Sequence, residues 1–246
     1  MDKKDDIELS VVIPFYNEEN NVRPVVEELR STLENARIPF EILCVSNGST
    51  DNTERAITQI TSSDKRVRGI YLQEKGYGLA INTGFQHAQK ELVAFMSGDG
   101  QIDAHDIVAG YKKILDTGAD IIKPRRIKRE DGLFRAIQSF VYNTLLKTLF
   151  GLPLWDFNCP AKMIRRDFLK RLNIQSKDWF IDPEMIIKIK YLGGKIEEIP
   201  VTYRKRVRGV GHVNLSSAWE VFSNIIRWRI HYRELVVNGV SRARSQ

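Results

Sequence analysis

The stretch "FMSGDGQIDAHD", residues 95–106, leaves an apolar run and enters a turn that offers three oxygens in quick succession. In extended chain Ser97, Asp99 and Gln101 alternate to one side, presenting a hydroxyl, a carboxylate and an amide carbonyl. Hard oxygens with open positions suit Mg²⁺ or Mn²⁺ shared with a diphosphate, because such a cation keeps several waters and takes few protein carboxylates. The same residues also read as a polar turn with capping acids. A second stretch, "CVSNGSTDNT" at 44–53, ends another apolar run in small polar residues and then offers Asp51, Asn52 and Thr53 as helix caps. A strand that runs through such a turn into a helix is a common seat for a nucleotide.

Other chemistries lack an anchor. "GYGLAINTG" holds Gly76 and Gly78 without a complete G-x-G-x-x-G, and neither a P-loop nor a G-x-S-x-G elbow is present. His87, His105, His212 and His231 form no metal spacing. Cys44 and Cys159 stand far apart and outside any C-x-x-C, which fits core packing in a reducing compartment better than a disulfide or zinc site.

The elements that must position these turns follow from periodicity. The runs "LSVVIP", "EILCVS", "VRGIYL", "ELVAFMS" and "ADIIKP" read as strands, and helical patterns follow the first four. In the first of those helices, about 18–36, Val22, Val25, Val26, Leu29 and Leu33 recur at helical spacing. Repeated β-α units with apolar strands predict a largely parallel α/β sheet covered on both faces, with ligands bound beyond the carboxyl ends of the strands. The turns after Pro14, Val45 and Met96 then share one crevice. In the second half, helices are expected at about 133–150, over "DPEMIIKIKYLGG" and over "SSAWEVFSNIIRWRIHYREL", with strands at "CPAKMI" and "KIEEIPVTY". One domain over 1–234 is expected, with a nucleotide-binding half at about 8–122, an acceptor-binding half at about 123–234, and a tail at 235–246.

The 246 residues carry a net charge of +7, unevenly placed. Residues 1–122 hold 13 Lys/Arg against 20 Asp/Glu, a net of −7, and the remainder holds 25 against 11, a net of +14. A basic half can face a phosphorylated substrate, anionic lipid or nucleic acid. The aromatics are not interleaved as in nucleic-acid modules, so no nucleic-acid partner is expected. The first ten residues have no apolar core, and no stretch approaches the ~20 apolar residues of a membrane span. A cytoplasmic chain, or one attached only at a membrane face, is therefore expected. On the last helix Trp219, Phe222, Ile226 and Ile230 fall near helical spacing beside Arg227 and Arg233, which suits either packing on the domain or an anionic surface.

The ordered segments "VVIPFYNEENNV", "VSNGSTDNT", "EKGYGLAINTGFQHA", "SGDGQID", "PRRIKREDGLFRAIQSFVYN", "WDFNCPAKMIRRDFL" and "FIDPEMIIKIKYLGGKIEEIPVTYRKR" resemble family-2 glycosyltransferases of GT-A fold. The likeness covers about residues 8–230 and is greatest to the polyprenyl-phosphate, dolichol-phosphate mannose synthase-like branch. It implies inverting transfer of a sugar from a UDP- or GDP-linked donor to a dolichyl- or undecaprenyl-type phosphate, with a weakly held divalent metal. It implies that Pro14, Tyr16, Asn17 and Glu18 hold base and ribose together with Ser46, Asn47 and Gly48, with Gly76 beside them. It makes Asp99 and Gln101 the metal and diphosphate ligands, with Ser97 in place of the first acid of the usual D-x-D. Arg126, Arg135 and Arg204 or Arg206 match residues that hold the acceptor phosphate and leaving diphosphate, and Glu184 and Asp156 match carboxylates near the sugar and crevice rim. Two acids usual at 46–47 are missing, so nucleotide reading without charge is expected. A glycan-hydroxyl transferase using Asp156 or Glu184 as base, and a weakened nucleotide-sugar-binding homologue, are the competing expectations.

Overall fold

The structure is a computed structural model that describes residues 7–128, 133–152, 154–204 and 215–230, with side chains at 7–127, 139–152, 154–204 and 223–230. The chain alternates β1 (Leu9–Phe15), α1 (Val22–Asn35), β2 (Phe40–Asn47), α2 (Thr53–Thr61), β3 (Val67–Leu72), α3 (Tyr77–His87), β4 (Leu92–Phe95), α4 (Ala104–Thr117) and β5 (Ile121–Lys128). It continues through α5 (Leu133–Phe150), β6 (Met163–Arg165), α6 (Arg166–Leu172), α7 (Ile181–Tyr191), β7 (Ile196–Thr202) and α8 (Leu215–Ile230). One sheet runs β3-β2-β1-β4-β6-β5-β7, and only β6 is antiparallel to its neighbours.

Alternation along the central strands divides the core into two layers. Leu9, Val11, Ile13 and Phe15 of β1 join one cluster with α1, α2 and α4, whereas Val12, Leu43 and Val45 join the other with α3 and α7. Covering both faces explains why these strands are apolar on both sides, and the polar pair within them, Ser10 and Glu41, is buried against itself at 2.6 Å. The α1 stripe expected from spacing is buried, and each fully buried Leu in it contributes about 2 kcal/mol. Asp103 caps α4 by accepting from the His105 amide, and Gly118 closes it in the left-handed conformation at φ 63°.

Three elements depart from the periodicity reading. The strand expected over "CPAKMI" shrinks to Met163–Arg165, because Ala161 (φ 71°) adopts left-handed backbone that a strand cannot contain. The seven-residue α6 over "RDFLKRL" was not expected, and it forms by burying Phe168, Leu169 and Leu172. Helix α7 is buried on all sides from Ile181 to Ile189, including Asp182, Glu184 and Lys188. Lys188 reaches the Glu184 carboxylate at 2.5 Å and the Asn173 carbonyl at 2.7 Å, which compensates its burial. The tail at 235–246 lies outside the described residues.

Candidate active site

The ends of β1, β2 and β4 are neighbours, with Phe15 paired to Ser46 and Val12 to Phe95. Pro14 lies past the last β1–β4 pair, so its missing N–H breaks no ladder bond there. The loops leaving β1 and β2 are stitched together. Asn17, at φ 52°, accepts from the Thr50 amide at 2.8 Å, and the Glu18 amide donates to Thr53 Oγ1 at 2.9 Å. Glu18 itself is buried. Gly48 turns the chain at φ 64°, where a Cβ would lie 3.1 Å from the Glu74 and Lys75 backbone. Lys75 extends over the Tyr16 ring, 3.9 Å from its centroid, and forms a flat cationic edge beside the turn.

Ser46 and Asn47, expected to face a base and ribose, point inward instead. Ser46 is fully buried with its hydroxyl on Glu54 at 3.0 Å, and Asn47 Oδ1 accepts the Gly76 amide at 2.7 Å. This gives a physical account of the acid missing at 46: a carboxylate there would set a second negative charge against Glu54 in a part-buried contact. Gly76 lies at the start of α3 under the Lys177 carbonyl, 2.9 Å from where a Cβ would stand. That glycine joins the β2 turn to the 176–179 loop.

The Asp99 turn rests on the end of β1, since a Cβ at Gly98 would lie 2.8 Å from the Pro14 carbonyl oxygen. Ser97, Asp99 and Gln101 do not alternate in extended chain. Gly100 bends the turn at φ 75°, and Asp99 Oδ1 accepts both the Ser97 hydroxyl (2.6 Å) and the Gln101 amide (3.0 Å). Asp99 Oδ2 has no partner among the described residues. Gln101 Nε2 donates to the Arg204 carbonyl at 3.1 Å, which directs Oε1 elsewhere. No group of three or more His, Cys, Asp or Glu among the described residues could enclose a metal. One carboxylate and one amide oxygen fit a Mg²⁺ or Mn²⁺ ion that takes its remaining ligands from a diphosphate and water. Calorimetric titration of either ion should therefore give no saturable binding in the micromolar range without nucleotide, and measurable binding once UDP or GDP is present.

On the other side of β6, Arg126 and Asp156 form a closed pair. Arg126 donates its backbone amide (3.0 Å) and Nε (2.8 Å) to Asp156 Oδ2, and its Nη2 to Oδ1. Asp156 is buried, which alone would raise its carboxyl, but the Arg126 hydrogen bonds and charge outweigh burial and hold it below the usual range. A carboxylate so engaged is not a general base, which corrects the expectation for Asp156. Arg126 also lies over the Tyr203 ring at 5.0 Å, and the next residue, Arg204, is the one whose carbonyl holds Gln101. That chain of contacts links the Asp99 turn to a cleft of about 250 Å³ beside Arg126, walled by Ser139, Phe140, Asn143 and Trp155. Phe140 and Trp155 stack at 6.3 Å, and Lys147 sits 3.4 Å from the Trp155 ring centroid.

The remaining expected site residues divide. Arg204 spends its guanidinium on Glu28 (2.8 Å) and Asp103. Glu184 is fully buried, accepting the Gln175 and Ser176 amides at 2.8 and 2.7 Å as well as Lys188, so it anchors a loop and does not face the crevice. The Arg135 side chain and Arg206 lie outside the described residues. Three features escaped the sequence reading. Lys162 is buried and joins the Cys159 carbonyl (2.7 Å) to Asp182, whose carboxyl is raised by burial despite that lysine. Lys123, also buried, holds Glu198 at 2.7 Å and the Trp155 carbonyl, fixing one wall of the cleft. Tyr77 stacks on Trp179 at 4.1 Å, and its phenol is pushed well up by burial and then by Asp182, Tyr203 and Asp99. The signal for the two lysines was a cation inside an apolar run, "PAKMI" and "DIIKP".

The family model described as glycosyl transferase family 2 matches residues 10–172. A dodecaprenyl-phosphate galacturonate synthase of Rhizobium johnstonii is 29% identical over 223 residues, 89% of this chain and 66% of that protein. An undecaprenyl-phosphate 4-deoxy-4-formamido-L-arabinose transferase of Klebsiella pneumoniae is 28% identical over 204 residues, 82% of this chain and 61% of that protein. The chain thus spans less than two thirds of the length of these curated relatives. Glucosyl-3-phosphoglycerate synthase of Mycobacterium tuberculosis, crystallised with Mn²⁺, UDP and glucosyl-3-phosphoglycerate, superposes with a TM-score of 0.67 at 19% identity, covering 92% of this chain and 80% of that one. The fold is the GT-A fold.

Proposed function

The chain belongs to glycosyl transferase family 2, and from that footing we propose that it transfers a sugar, with inversion, from a UDP- or GDP-linked donor to a polyprenyl phosphate. The observation that carries this reading is the cleft beside Arg126, where a fixed guanidinium meets an aromatic wall a few contacts from Asp99. A lipid phosphate needs a cation for its head and apolar surface for its first isoprene units, and this cleft supplies both.

In the proposed step an anionic phosphate oxygen attacks the anomeric carbon opposite the diphosphate. The new carbon–oxygen bond forms as the bond to the β-phosphate oxygen breaks, and both electrons of that bond leave with the nucleoside diphosphate. The transition state is oxocarbenium-like. Arg126, pre-set by Asp156, orients the acceptor phosphate, and Arg135 is its proposed second partner. Tyr16 and Lys75 form the surface offered to the base. Asp99 and Gln101 would hold Mg²⁺ or Mn²⁺, which would supply positive charge for the departing diphosphate. No proton moves, because the acceptor oxygen is already ionised. A hydroxyl acceptor would need a base, and the two carboxylates expected for it are occupied: Asp156 by Arg126, Glu184 in the interior.

We place this work at a membrane face, where the acceptor resides; no helix among the described residues is long and apolar enough to cross a bilayer. The test is product analysis with UDP- and GDP-sugars offered against polyprenyl phosphate and against oligosaccharides. Transfer to the lipid phosphate with the anomeric configuration inverted is expected. Transfer confined to the oligosaccharide, or a retained configuration, overturns the reading.

A further inference from the structure

Five of the nine large apolar side chains left exposed among the described residues lie on α5 and α8, and one of them, Phe140, lines the Arg126 cleft. Helix α5 exposes Phe140 (61%), Val141 (51%) and Leu149, and α8, which packs against it, exposes Ile226 and Ile230 (70%). These residues are not the ones that hold the helices to the domain. Leu146 and Asn143 are the buried side of α5, and Ile225 and Trp228 the buried side of α8, with Trp228 5.3 Å from Phe180. Val141 and Leu149 are two turns apart on α5, and Ile226 and Ile230 one turn apart on α8, so each forms a stripe. The apolar stripes therefore lie away from the buried side of each helix.

Cations accompany the stripes. Lys147 lies over Trp155 on α5, and Arg227 and Arg229 are exposed on α8. All belong to the half of the chain with a net charge of +14. An aromatic with a lysine at its face, flanked by bulky aliphatics and arginines, is the composition of a surface that sinks into the headgroup layer of an anionic bilayer.

We propose that the exposed faces of α5 and α8 form a docking surface for an anionic lipid bilayer, so that the Arg126 cleft opens at the headgroup level. The choice of acceptor rests on the transferase reading above, but docking itself does not. A polyprenyl chain would then stay in the bilayer while only its phosphate rises into the cleft, sparing the cost of extracting many apolar CH₂ groups into water.

The experiment is co-sedimentation of the full chain with phosphatidylcholine vesicles and with vesicles that also contain phosphatidylglycerol. Wild type should bind the anionic vesicles and largely ignore the neutral ones. Val141→Asp and Ile230→Asp, both at exposed positions outside the cleft, should each weaken partitioning on the order of tenfold, and Arg227→Glu should erase the preference for anionic lipid. The aspartate variants should transfer sugar to a short water-soluble prenyl phosphate at the wild-type rate and lose rate only with polyprenyl phosphate in vesicles. Wild type that fails to bind anionic vesicles, or aspartate variants that bind like wild type, overturns the proposal. So does a wild-type dimer that Val141→Asp converts to monomer, since the face then belongs to a second copy. Loss of transfer to every acceptor with vesicle binding intact would instead strike the transferase reading.

Discussion

Asp99→Asn will lower sugar transfer by roughly three orders of magnitude while leaving the fold intact. The carboxylate sits in a half-buried turn against the end of β1, with Oδ1 spent on Ser97 and the Gln101 amide and Oδ2 left over. An asparagine can direct its own carbonyl oxygen at the same two donors, so the turn keeps its shape. What disappears is the one negative charge that the described residues place there. Its neighbour in the turn is the Ser97 hydroxyl and not a second acid, so no adjacent carboxylate takes over. The check has three arms: product formation, Mg²⁺ titration in the presence of UDP or GDP, and thermal unfolding. Rate and metal affinity should fall together while the melting temperature moves little. A variant that transfers sugar at close to the wild-type rate would remove Asp99 from the chemistry.

Asp156→Ala will cost stability more than any other single change considered for the cleft, about 3–5 kcal/mol at neutral pH. It strands Arg126, whose side chain is 10% exposed and whose Nε and Nη2 would lose their acceptor. Removing both partners with apolar residues, Arg126→Met with Asp156→Leu, should recover much of that loss while transfer stays low, because the guanidinium is gone. The effect also has a pH signature. The Asp156 carboxyl is lower in the folded chain than in the unfolded one, since Arg126 outweighs burial. Its contribution is therefore complete above the ordinary carboxylate range and is lost as pH falls through the folded value. Denaturant unfolding of wild type and Asp156→Ala should show a gap that narrows on acidification below about pH 4. A gap that widens there would mean the pair does not hold the cleft as described.

The parts of this architecture that local pattern controls were legible beforehand. Val22, Val25, Val26, Leu29 and Leu33 announce α1 because a helix has only one face to bury, and the strand runs end where polar turns begin. The order of the turns carried the family resemblance. Partner-dependent features were not legible. Nothing in "SNG" reveals that Ser46 meets Glu54 or that Asn47 meets Gly76, since both partners come from other segments. In "FIDPEM" two acids stand two residues apart, and only the packing of α7 settles that Asp182 takes Lys162 while Glu184 takes Lys188 and a loop. The left-handed position 161 is an alanine and not the glycine that would have marked it, so β6 was expected to begin too early.

Strand β6 has a consequence for the order in which the molecule can be made. It runs antiparallel as a three-residue wedge between β4 and β5, which do not pair with each other. A chain leaving the ribosome can therefore assemble the Asp99 side of the cleft from its first four β-α units. The Arg126 side must wait until residues 163–165 emerge and close a loop of several dozen residues, an entropically slower event. Folding intermediates that lack β6 would thus carry the Asp99 turn on its strands, but without the Arg204 carbonyl that holds Gln101 and without the Arg126 side.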